Sequence, residues 1–271
     1  MGFRERIRHE AVRRGIPYLV HFTQAWNLPS IVTHGLLSRT ELAERNLNVF
    51  LSDRSRLDEK DEAISVSISA VNCEMFKAKH RNCGPTSWVI LLLDPSILWR
   101  HNCRFNCRNA ARQEMKKHGG FLGGTYGFRQ MFSDDMRHPL FQAVSHRAET
   151  GIPDFLTTRP DAEVQVFGSI APQAILGAWV DRDDLGNAVR LELDRLPGQK
   201  REIAVQEPTS CCLARPAAER AISPRPSGSP SSRMAGACCS PARPTSSRSF
   251  RSRGVSCSSN PPSTSSTSSI C

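Results

Sequence analysis

The sequence predicts an α+β domain over residues 1–207, followed by a disordered tail over residues 208–271. Three observations favour this division. Helix-like segments concentrate early in the chain, several short strand-like runs occur late, and the composition changes abruptly near residue 208. The first two are typical of a single α+β domain of about 200 residues, and the third indicates a segment that cannot bury enough apolar surface to fold.

The tail is rich in Ser, Pro, Arg and Cys, and Glu219 is its one acidic residue. Eight Arg and one Glu give it +7 of the formal charge of +10, which leaves +3 for residues 1–207. Such a basic segment can bind nucleic acid non-specifically, but a solvated disordered tail is the favoured interpretation. The abrupt change in composition suggests the hypothesis that the tail is an out-of-frame or degenerate extension.

The domain begins with alternating helix-like and strand-like segments. Residues 1–16 are charged and predict a short helix, and residues 18–22 (YLVHF) predict a strand of aromatic and β-branched residues. A short helix is expected next, with Asn27 as its N-cap, Pro29 in its first turn and Gly35 as its C-cap.

The middle of the domain predicts two strands around a helix. Residues 63–71 (AISVSISAV) alternate apolar and serine positions, as a half-buried strand does. Residues 73–80 have a helical pattern, and residues 87–93 (SWVILLL) form a continuous apolar run that Asp94 and Pro95 end. This run predicts a central strand.

The last third predicts more short elements. Helices are expected at residues 110–117 and 128–132, and strands at residues 163–167, 176–180 and 188–193. With no signal peptide and no run of 18 apolar residues, a cytoplasmic protein with no membrane partner is expected. No metal site is expected either, because His101, Cys103 and Cys107 lack a second pair of ligands at suitable spacing.

The first candidate site is the run His21-Phe22-Thr23, at the end of a predicted strand and just before a helix. A helix N-terminus presents free N–H groups, so a phosphate or a ribose could lie there. A histidine in this position is also common as a purely structural residue.

A second candidate is the loop around Arg54 and Arg56, which Asp53 and Asp58 flank. Guanidinium groups suit bidentate phosphate binding, whereas the alternative is a solvated turn with local ion pairs. A third candidate is Glu163, at the start of a strand. A carboxylate there can hydrogen-bond a sugar hydroxyl and stabilise a cationic transition state, although any edge strand can carry the same pattern.

Taken in order, these motifs resemble the DarT-like DNA ADP-ribosyltransferases over residues 17–195. The resemblance is carried by HFTQAWNLPSIVTHGLLS (21–38), RLD (56–58) followed by AISVSIS and then EMF (74–76), WVILLLDPSILW (88–99) and DAEVQV (161–166). It implies an ADP-ribosyltransferase-like split β-sandwich core, in which NAD⁺ lies in a cleft between two small antiparallel sheets.

The resemblance also implies residue roles. Glu163 matches the family's catalytic glutamate, and Arg56, with Arg54 as the alternative, matches its essential arginine, which would also contact NAD⁺. The remaining NAD⁺-binding residues implied are His21, Phe22, Thr23, Asn27 and Ser30. The loop from Arg147 to Asp161 would present the DNA, with Arg147 and Arg159 as its contacts.

The implied reaction transfers ADP-ribose from NAD⁺ to a base of single-stranded DNA. NAD⁺ is a consumed substrate and carries no hydride, so neither a separate cofactor nor a Rossmann glycine fingerprint is expected. The RLD and SVSIS stretches are closer to the branch that modifies guanine than to the branch that modifies thymine. A toxin role and a neutralising macrodomain antitoxin are also implied. The alternatives are a non-catalytic nucleic-acid-binding protein and a transferase that acts on RNA or protein.

Overall fold

A computed structural model describes residues 1–51, 56–83, 86–118, 120–134, 147, 151–198 and 200–206. All of them lie in one compact unit, Met1–Ser223. The predicted tail at residues 208–271 and the candidate Arg54 lie outside the described residues.

The described chain forms one seven-stranded sheet with the strand order β4-β5-β2-β1-β3-β6-β7. Every pair of neighbouring strands is antiparallel except β6 and β7, which are parallel. The strands are β1 (Leu19–Gln24), β2 (Ala63–Ile68), β3 (Trp88–Leu93), β4 (Asn102–Asn106), β5 (Glu163–Phe167), β6 (Ile175–Val180) and β7 (Glu202–Val205).

Helices cover the sheet and connect its strands. They are α1 (Phe3–Arg13), α2 (Leu28–His34), α3 (Arg39–Glu44), α4 (Cys73–Asn82), α5 (Ile97–Arg100), α6 (Gln113–Lys116), α7 (Thr125–Gln130) and α8 (Asp183–Leu193). Within the described ranges no helix is long and apolar enough to cross a membrane. The mixture of a largely antiparallel sheet with helices confirms the predicted α+β class.

The sheet is split where β1 meets β2. These strands share only two residue pairs, Leu19 with Ile68 and Val20 with Ser67, whereas β1 and β3 pair over six residues. Beyond Val20 the two strands separate, and a cleft opens between the half formed by β4, β5 and β2 and the half formed by β1, β3, β6 and β7. The cleft of the implied split core therefore has a direct structural counterpart.

Strand alternation gives the first half one apolar face and one polar face. Val66 on β2, Val164 on β5 and Phe105 on β4 belong to the main hydrophobic core. Because side chains alternate along a strand, Ser65 on β2 and Gln165 on β5, which are cross-strand partners, lie on the opposite face. The polar side chains near the cleft are thus anchored by an apolar layer behind them.

One predicted strand is wrong. Residues 188–193 form the second half of α8 rather than a strand. Leu185, Val189 and Leu193 recur every four residues and are all buried, which is the spacing of one helical face. Asp183 and Asp184 in the first turn also stabilise a helix N-terminus. Strands β4 and β7 were not predicted.

Asn27 and Gly35 lie at the predicted N-cap and C-cap positions of α2. Gly35 ends the helix with φ of 83°, and a Cβ there would lie 2.3 Å from the carbonyl oxygen of Ile170, so only glycine fits. Asn27 makes no side-chain cap to the helix. Its amide is used elsewhere, against the backbone of Phe50.

Candidate active site

The cleft between the two halves of the sheet has a volume of about 390 Å³. It brings together every residue that the sequence proposed for catalysis or for NAD⁺ binding among those the structure describes. They are His21, Phe22, Thr23, Asn27, Ser30, Arg56 and Glu163. These residues come from three separate stretches of the chain.

Glu163 is the first residue of β5, and its side chain lies in the cleft although it is only 8% exposed. Its Oε2 accepts a hydrogen bond of 2.9 Å from the backbone N–H of Ala110. Burial raises the pKa of Glu163, and hydrogen bonds from Ser65 and Ala110 offset only part of that effect. The carboxylate is therefore fixed in orientation and more basic than an exposed glutamate.

The segment that carries Ala110 is clamped to the start of β5 by charge. Arg108 Nε lies 3.2 and 3.1 Å from the two carboxylate oxygens of Asp161, and Arg112 Nε lies 2.9 Å from Asp161 Oδ2. These ion pairs connect both sides of Ala110 to a residue two positions before Glu163. They hold the N–H donor in place over the Glu163 carboxylate.

Arg56 is joined to Glu163 through Ser65. Arg56 Nη2 donates to Ser65 Oγ at 3.0 Å, and Arg56 Nη1 donates to the carbonyl oxygen of Ala63. The Ser65 side chain also hydrogen-bonds Glu163. A fixed positive charge thus lies close to the glutamate, which favours its ionised form and counteracts part of the effect of burial.

Asp58 holds the guanidinium of Arg56 from the other side. Arg56 Nε and Nη2 donate to the two Asp58 carboxylate oxygens at 2.9 and 3.0 Å, a bidentate geometry. Burial opposes ionisation of Asp58, but the hydrogen bonds and charge of Arg56 outweigh it and lower the pKa of Asp58. Asp58 is therefore a carboxylate whose partner is Arg56.

The His21 side chain hydrogen-bonds across from β1 to β2 at the place where the two strands have separated. Its Nδ1 lies 3.0 Å from the carbonyl oxygen of Ser65. Since a carbonyl only accepts, Nδ1 carries the proton and Nε2 is left as an acceptor. Burial lowers the pKa of His21, the nearby Arg56 lowers it further, and the bond to Ser65 offsets only part of this. A neutral imidazole can accept a hydrogen bond from a sugar hydroxyl.

The remaining predicted NAD⁺-binding residues line the same end of the cleft. Asn27 Nδ2 donates to Thr23 Oγ1 at 3.1 Å and to the carbonyl oxygen of Phe50 at 2.9 Å, and Asn27 Oδ1 accepts from Phe50 N at 2.8 Å. Phe22 packs edge-on against Phe76, 5.3 Å between ring centres. Ser30 lies on α2. Asn27 therefore anchors the cleft wall around Phe50.

The predicted DNA contacts, Arg147 and Arg159, are not among the residues that line the cleft. Arg147 Nη1 donates to the carbonyl oxygen of Leu156 at 2.8 Å and to Thr158 Oγ1 at 3.1 Å, and Nη2 donates to the carbonyl oxygen of Pro153 at 2.7 Å. Arg147 thus ties down the segment that precedes β5. Arg159 is half-buried in that segment, and a DNA contact by either arginine stays a prediction.

The described residues contain no group of three or more His, Cys, Asp or Glu side chains that could hold a metal ion. Cys103 and Cys107 are buried, and burial raises the pKa of their thiols to about 12 and about 11. Both thiols are therefore protonated at neutral pH.

Several side chains of the site were not singled out from the sequence. Ser65 and Asp58 lie in stretches that carry the family resemblance, but the sequence predicts no role for either, and Ala110 contributes only its backbone N–H. The alternation of serines with apolar residues in β2 indicates that Ser65 lies on the polar face of the sheet. The position of Ala110 depends on how the segment after β4 folds over β5, and no local pattern encodes that.

One comparison places the chain in a family of known proteins. Residues 20–209 match the family model described as "DarT: ssDNA thymidine ADP-ribosyltransferase, DarT". The chain belongs to the DarT family. The family model covers most of the chain and includes the cleft residues from His21 to Glu163. A comparison with curated proteins gives no match for this DarT-family chain.

Solved structures of DarT proteins share low sequence identity with the chain. Thermus sp. 2.9 DarT in complex with NAD⁺ is 12% identical with a TM-score of 0.48, over 71% of this chain and 96% of that one. The same protein in complex with ADP-ribosylated ssDNA is 13% identical with a TM-score of 0.46, over 71% and 95%. Thermosipho africanus DarTG in complex with ADP-ribose is 15% identical with a TM-score of 0.44, over 71% of this chain. The match spans half of the DarTG chain.

Proposed function

We propose that this DarT-family chain transfers ADP-ribose from NAD⁺ to a base of single-stranded DNA. Family membership supports this proposal, and the geometry of Glu163 carries it. A buried carboxylate with a fixed orientation lies in a cleft that also contains a neutral histidine and an arginine. This combination suits the transfer of a sugar through a cationic transition state.

In the proposed reaction, the bond between the ribose C1′ and the nicotinamide nitrogen breaks first. Nicotinamide takes the bonding electron pair and leaves uncharged, and the ribose gains oxocarbenium character. The Glu163 carboxylate stabilises that positive charge. Its position beside Ser65 and the backbone N–H of Ala110 limits its movement, so little reorganisation is needed at the moment of reaction.

A nitrogen of the DNA base then attacks C1′ and loses its proton. The raised pKa of Glu163 makes it a stronger base than an ordinary carboxylate, so it can accept that proton when the new bond forms. His21, with Nε2 as an acceptor, would receive a hydrogen bond from a ribose hydroxyl of NAD⁺. Thr23, Asn27 and Ser30 would complete the wall around the nicotinamide half.

The base that receives ADP-ribose is either guanine or thymine. The RLD and SVSIS stretches favour guanine, whereas the family description names thymidine. Single-stranded oligonucleotides that contain either one guanine or one thymine in an otherwise adenine sequence separate these cases. We keep guanine as the prediction from the sequence.

The test uses the full chain, NAD⁺ labelled in its adenylate half and a panel of single-stranded DNA, RNA and protein substrates. We expect label on DNA with the wild-type chain and none with Glu163→Gln at the same concentration of folded protein. Label on RNA or protein alone would contradict the DNA proposal. DNA binding without label in either variant would instead support a non-catalytic nucleic-acid-binding protein.

We also propose that the modification is toxic, because a bulky adduct on a template base blocks replication. Induced expression in bacteria should then arrest growth with the wild-type chain but not with Glu163→Gln. Co-expression of a macrodomain hydrolase that removes ADP-ribose should relieve the arrest. Equal arrest by both variants would contradict the toxic role of the transfer reaction.

A further inference from the structure

Two fully buried amides lie beside the cleft, and the proposed chemistry gives them no direct role. Gln165 is on β5, two residues after Glu163, and Asn106 is on β4, directly opposite Glu163 in the strand pairing. Both residues have no exposed surface. Burying an amide without hydrogen bonds costs about 1–3 kcal/mol, so each of these side chains needs hydrogen-bond partners.

The two amides form a chain of hydrogen bonds that ends at Arg56. Asn106 Nδ2 donates to Gln165 Oε1 at 3.2 Å, and Gln165 Nε2 donates to Asp58 Oδ2 at 2.7 Å. Asp58 in turn accepts both bidentate bonds from Arg56. An ionised carboxylate only accepts, so Gln165 must turn its nitrogen toward Asp58 and its oxygen toward Asn106. Each amide orientation is therefore dictated by the next group in the chain.

Among the described residues, this orientation leaves one buried polar atom unpaired at the Asn106 end of the hydrogen-bond chain. Asn106 Oδ1 is buried and has no hydrogen-bond partner among the residues that the structure describes. An apolar residue at this position would remove the unpaired oxygen, but it would also remove the donor to Gln165 Oε1. The arrangement therefore favours the precise placement of Asp58 over the stability of β4.

The guanidinium of Arg56 is held by this chain on one side and by the backbone and Ser65 on the other. Its hydrogen bonds go to Asp58, Ser65 and the carbonyl oxygen of Ala63, and they engage four of the five N–H groups of an arginine. Few donors are left for a substrate. The main contribution of Arg56 is thus a positive charge at a fixed distance from Glu163.

We propose that Gln165 and Asn106 are positioning residues, which hold Asp58 and, through it, the Arg56 guanidinium in place beside Glu163. This inference rests on the proposed function, since Glu163 must be the reacting carboxylate for the position of Arg56 to matter. Neither amide touches the reacting atoms. Their effect is transmitted entirely through the ion pair between Asp58 and Arg56.

The inference predicts a signature in the pH dependence of transfer. The negative charge of Asp58 raises the pKa of Glu163, and the positive charge of Arg56 lowers it. If the Asp58–Arg56 pair moves relative to Glu163, the pKa of the carboxylate changes, and the pH at which activity falls on acidification shifts away from the wild-type value. Gln165→Leu removes the connecting amide without changing any charge, so a shift in this variant must come from displaced neighbours.

The experiment compares Gln165→Leu with Val166→Ala in the full chain. Val166 is adjacent on β5 but faces the hydrophobic core, so its truncation tests a purely structural defect. For Gln165→Leu we expect kcat to fall about 10–100-fold, the loss typical of a misplaced group, with KM for NAD⁺ unchanged and the acid limb of the pH–rate profile displaced from its wild-type position. For Val166→Ala we expect lower stability with an unmoved acid limb. An unmoved acid limb in Gln165→Leu would overturn the inference.

A double-mutant cycle tests whether the effect passes through Arg56. Lysine cannot make the bidentate contact to Asp58, so Gln165→Leu should have little further effect in an Arg56→Lys background. Residues that act through one network give such non-additive effects. Fully additive losses in kcat would show that Gln165 acts by another route and would overturn the proposal.

A measurement that needs no activity separates this inference from the proposed function. In the ¹⁵N-labelled chain, the Nε–H proton of Arg56 should exchange slowly with water. Its resonance is assigned by its absence in Arg56→Lys. We expect faster exchange in Gln165→Leu and unchanged exchange in Val166→Ala. If the wild-type chain modifies no DNA, the proposed function fails, yet this comparison still shows whether the amides hold Arg56. Equal exchange in the wild type and Gln165→Leu would overturn the inference.

Discussion

Strands β3 and β5 occupy comparable places in the two halves of the sheet, but they bury different chemistry. Each has a neighbour on both sides, and most of their side chains are buried. In β3 (WVILLL) both faces are apolar and pack in two hydrophobic clusters. In β5 (EVQVF) only Val164 and Val166 pack in the core, and the other face buries Glu163 and Gln165.

The comparison shows that equal burial serves two purposes. Apolar burial in β3 stabilises the fold by about 25 cal/mol per Å² removed from water. Polar burial in β5 contributes little to stability and requires a hydrogen-bond partner for each group. In return it provides a carboxylate with a raised pKa and an ordered charge beside it. We therefore expect changes on the polar face of β5 to affect activity and changes in β3 to affect stability.

The largest expected effect comes from Glu163→Gln. This change removes the charge but keeps the shape and an acceptor for the Ala110 N–H. Loss of a reacting carboxylate should lower the rate of transfer about 10²–10⁴-fold, measured as initial release of nicotinamide in the presence of single-stranded DNA. A rate within a factor of two of the wild type would show that β5 does not carry the reactive group.

The second expected effect is a loss of stability without a loss of activity, from a change in β3. Leu91 is completely buried between β1 and β6, so Leu91→Ala should lower the free energy of unfolding by about 2–5 kcal/mol. Urea denaturation of the full chain measures this loss. The rate of transfer per folded molecule should stay near the wild-type value. A large loss of kcat without a loss of stability would contradict the division between the strands.

The third prediction concerns pH. Because the pKa of Glu163 is raised by burial, transfer that needs its carboxylate should decline, as the pH falls, at a higher pH than an ordinary glutamate would give. Burial lowers the pKa of His21, so protonation of its imidazole is displaced to lower pH. A pH–rate profile with saturating NAD⁺ and DNA checks this. An acid limb at or below the ordinary glutamate range would contradict the buried position of Glu163.

The smallest effect is a gain in stability. A carboxyl group whose pKa is raised on folding favours the folded state at low pH and loses that contribution as the pH rises through the folded-state pKa. At neutral pH, Glu163→Gln should therefore raise the melting temperature by a few degrees, since about 1 kcal/mol moves Tm by about 2–4 °C in a domain of this size. The gain should shrink toward acidic pH. A lower Tm at neutral pH would show that the ionised carboxylate is well compensated.

Sequence patterns located elements with strong local signals. The continuous apolar run of β3 and the alternation in β2 and β5 gave strands in the right places. The pattern at residues 188–193 failed because apolar residues at helical spacing, Val189 and Leu193, stand within a run short enough for a strand. Strand β4 (NCRFN) has a polar sequence, and it becomes a strand only through pairing with β5.

The sequence also predicted the main residues of the site, but not the groups that hold them in place. Resemblance to the family pointed to His21, Arg56 and Glu163, and the structure brings all three to one cleft. The groups that hold them depend on cross-strand register. Ser65 and Gln165 are partners between β2 and β5, yet they lie 100 residues apart in the chain. Contacts of this kind follow from strand pairing, which no short motif in the sequence encodes.

The central claim is that Glu163, held in the cleft, attaches ADP-ribose from NAD⁺ to single-stranded DNA. The most direct measurement is the intact mass of a mixed-sequence oligonucleotide after incubation with NAD⁺ and the full chain. We predict the added mass of ADP-ribose on the oligonucleotide with the wild type and an unmodified oligonucleotide with Glu163→Gln. An unmodified oligonucleotide with the wild type, or the same adduct with both chains, would contradict the claim.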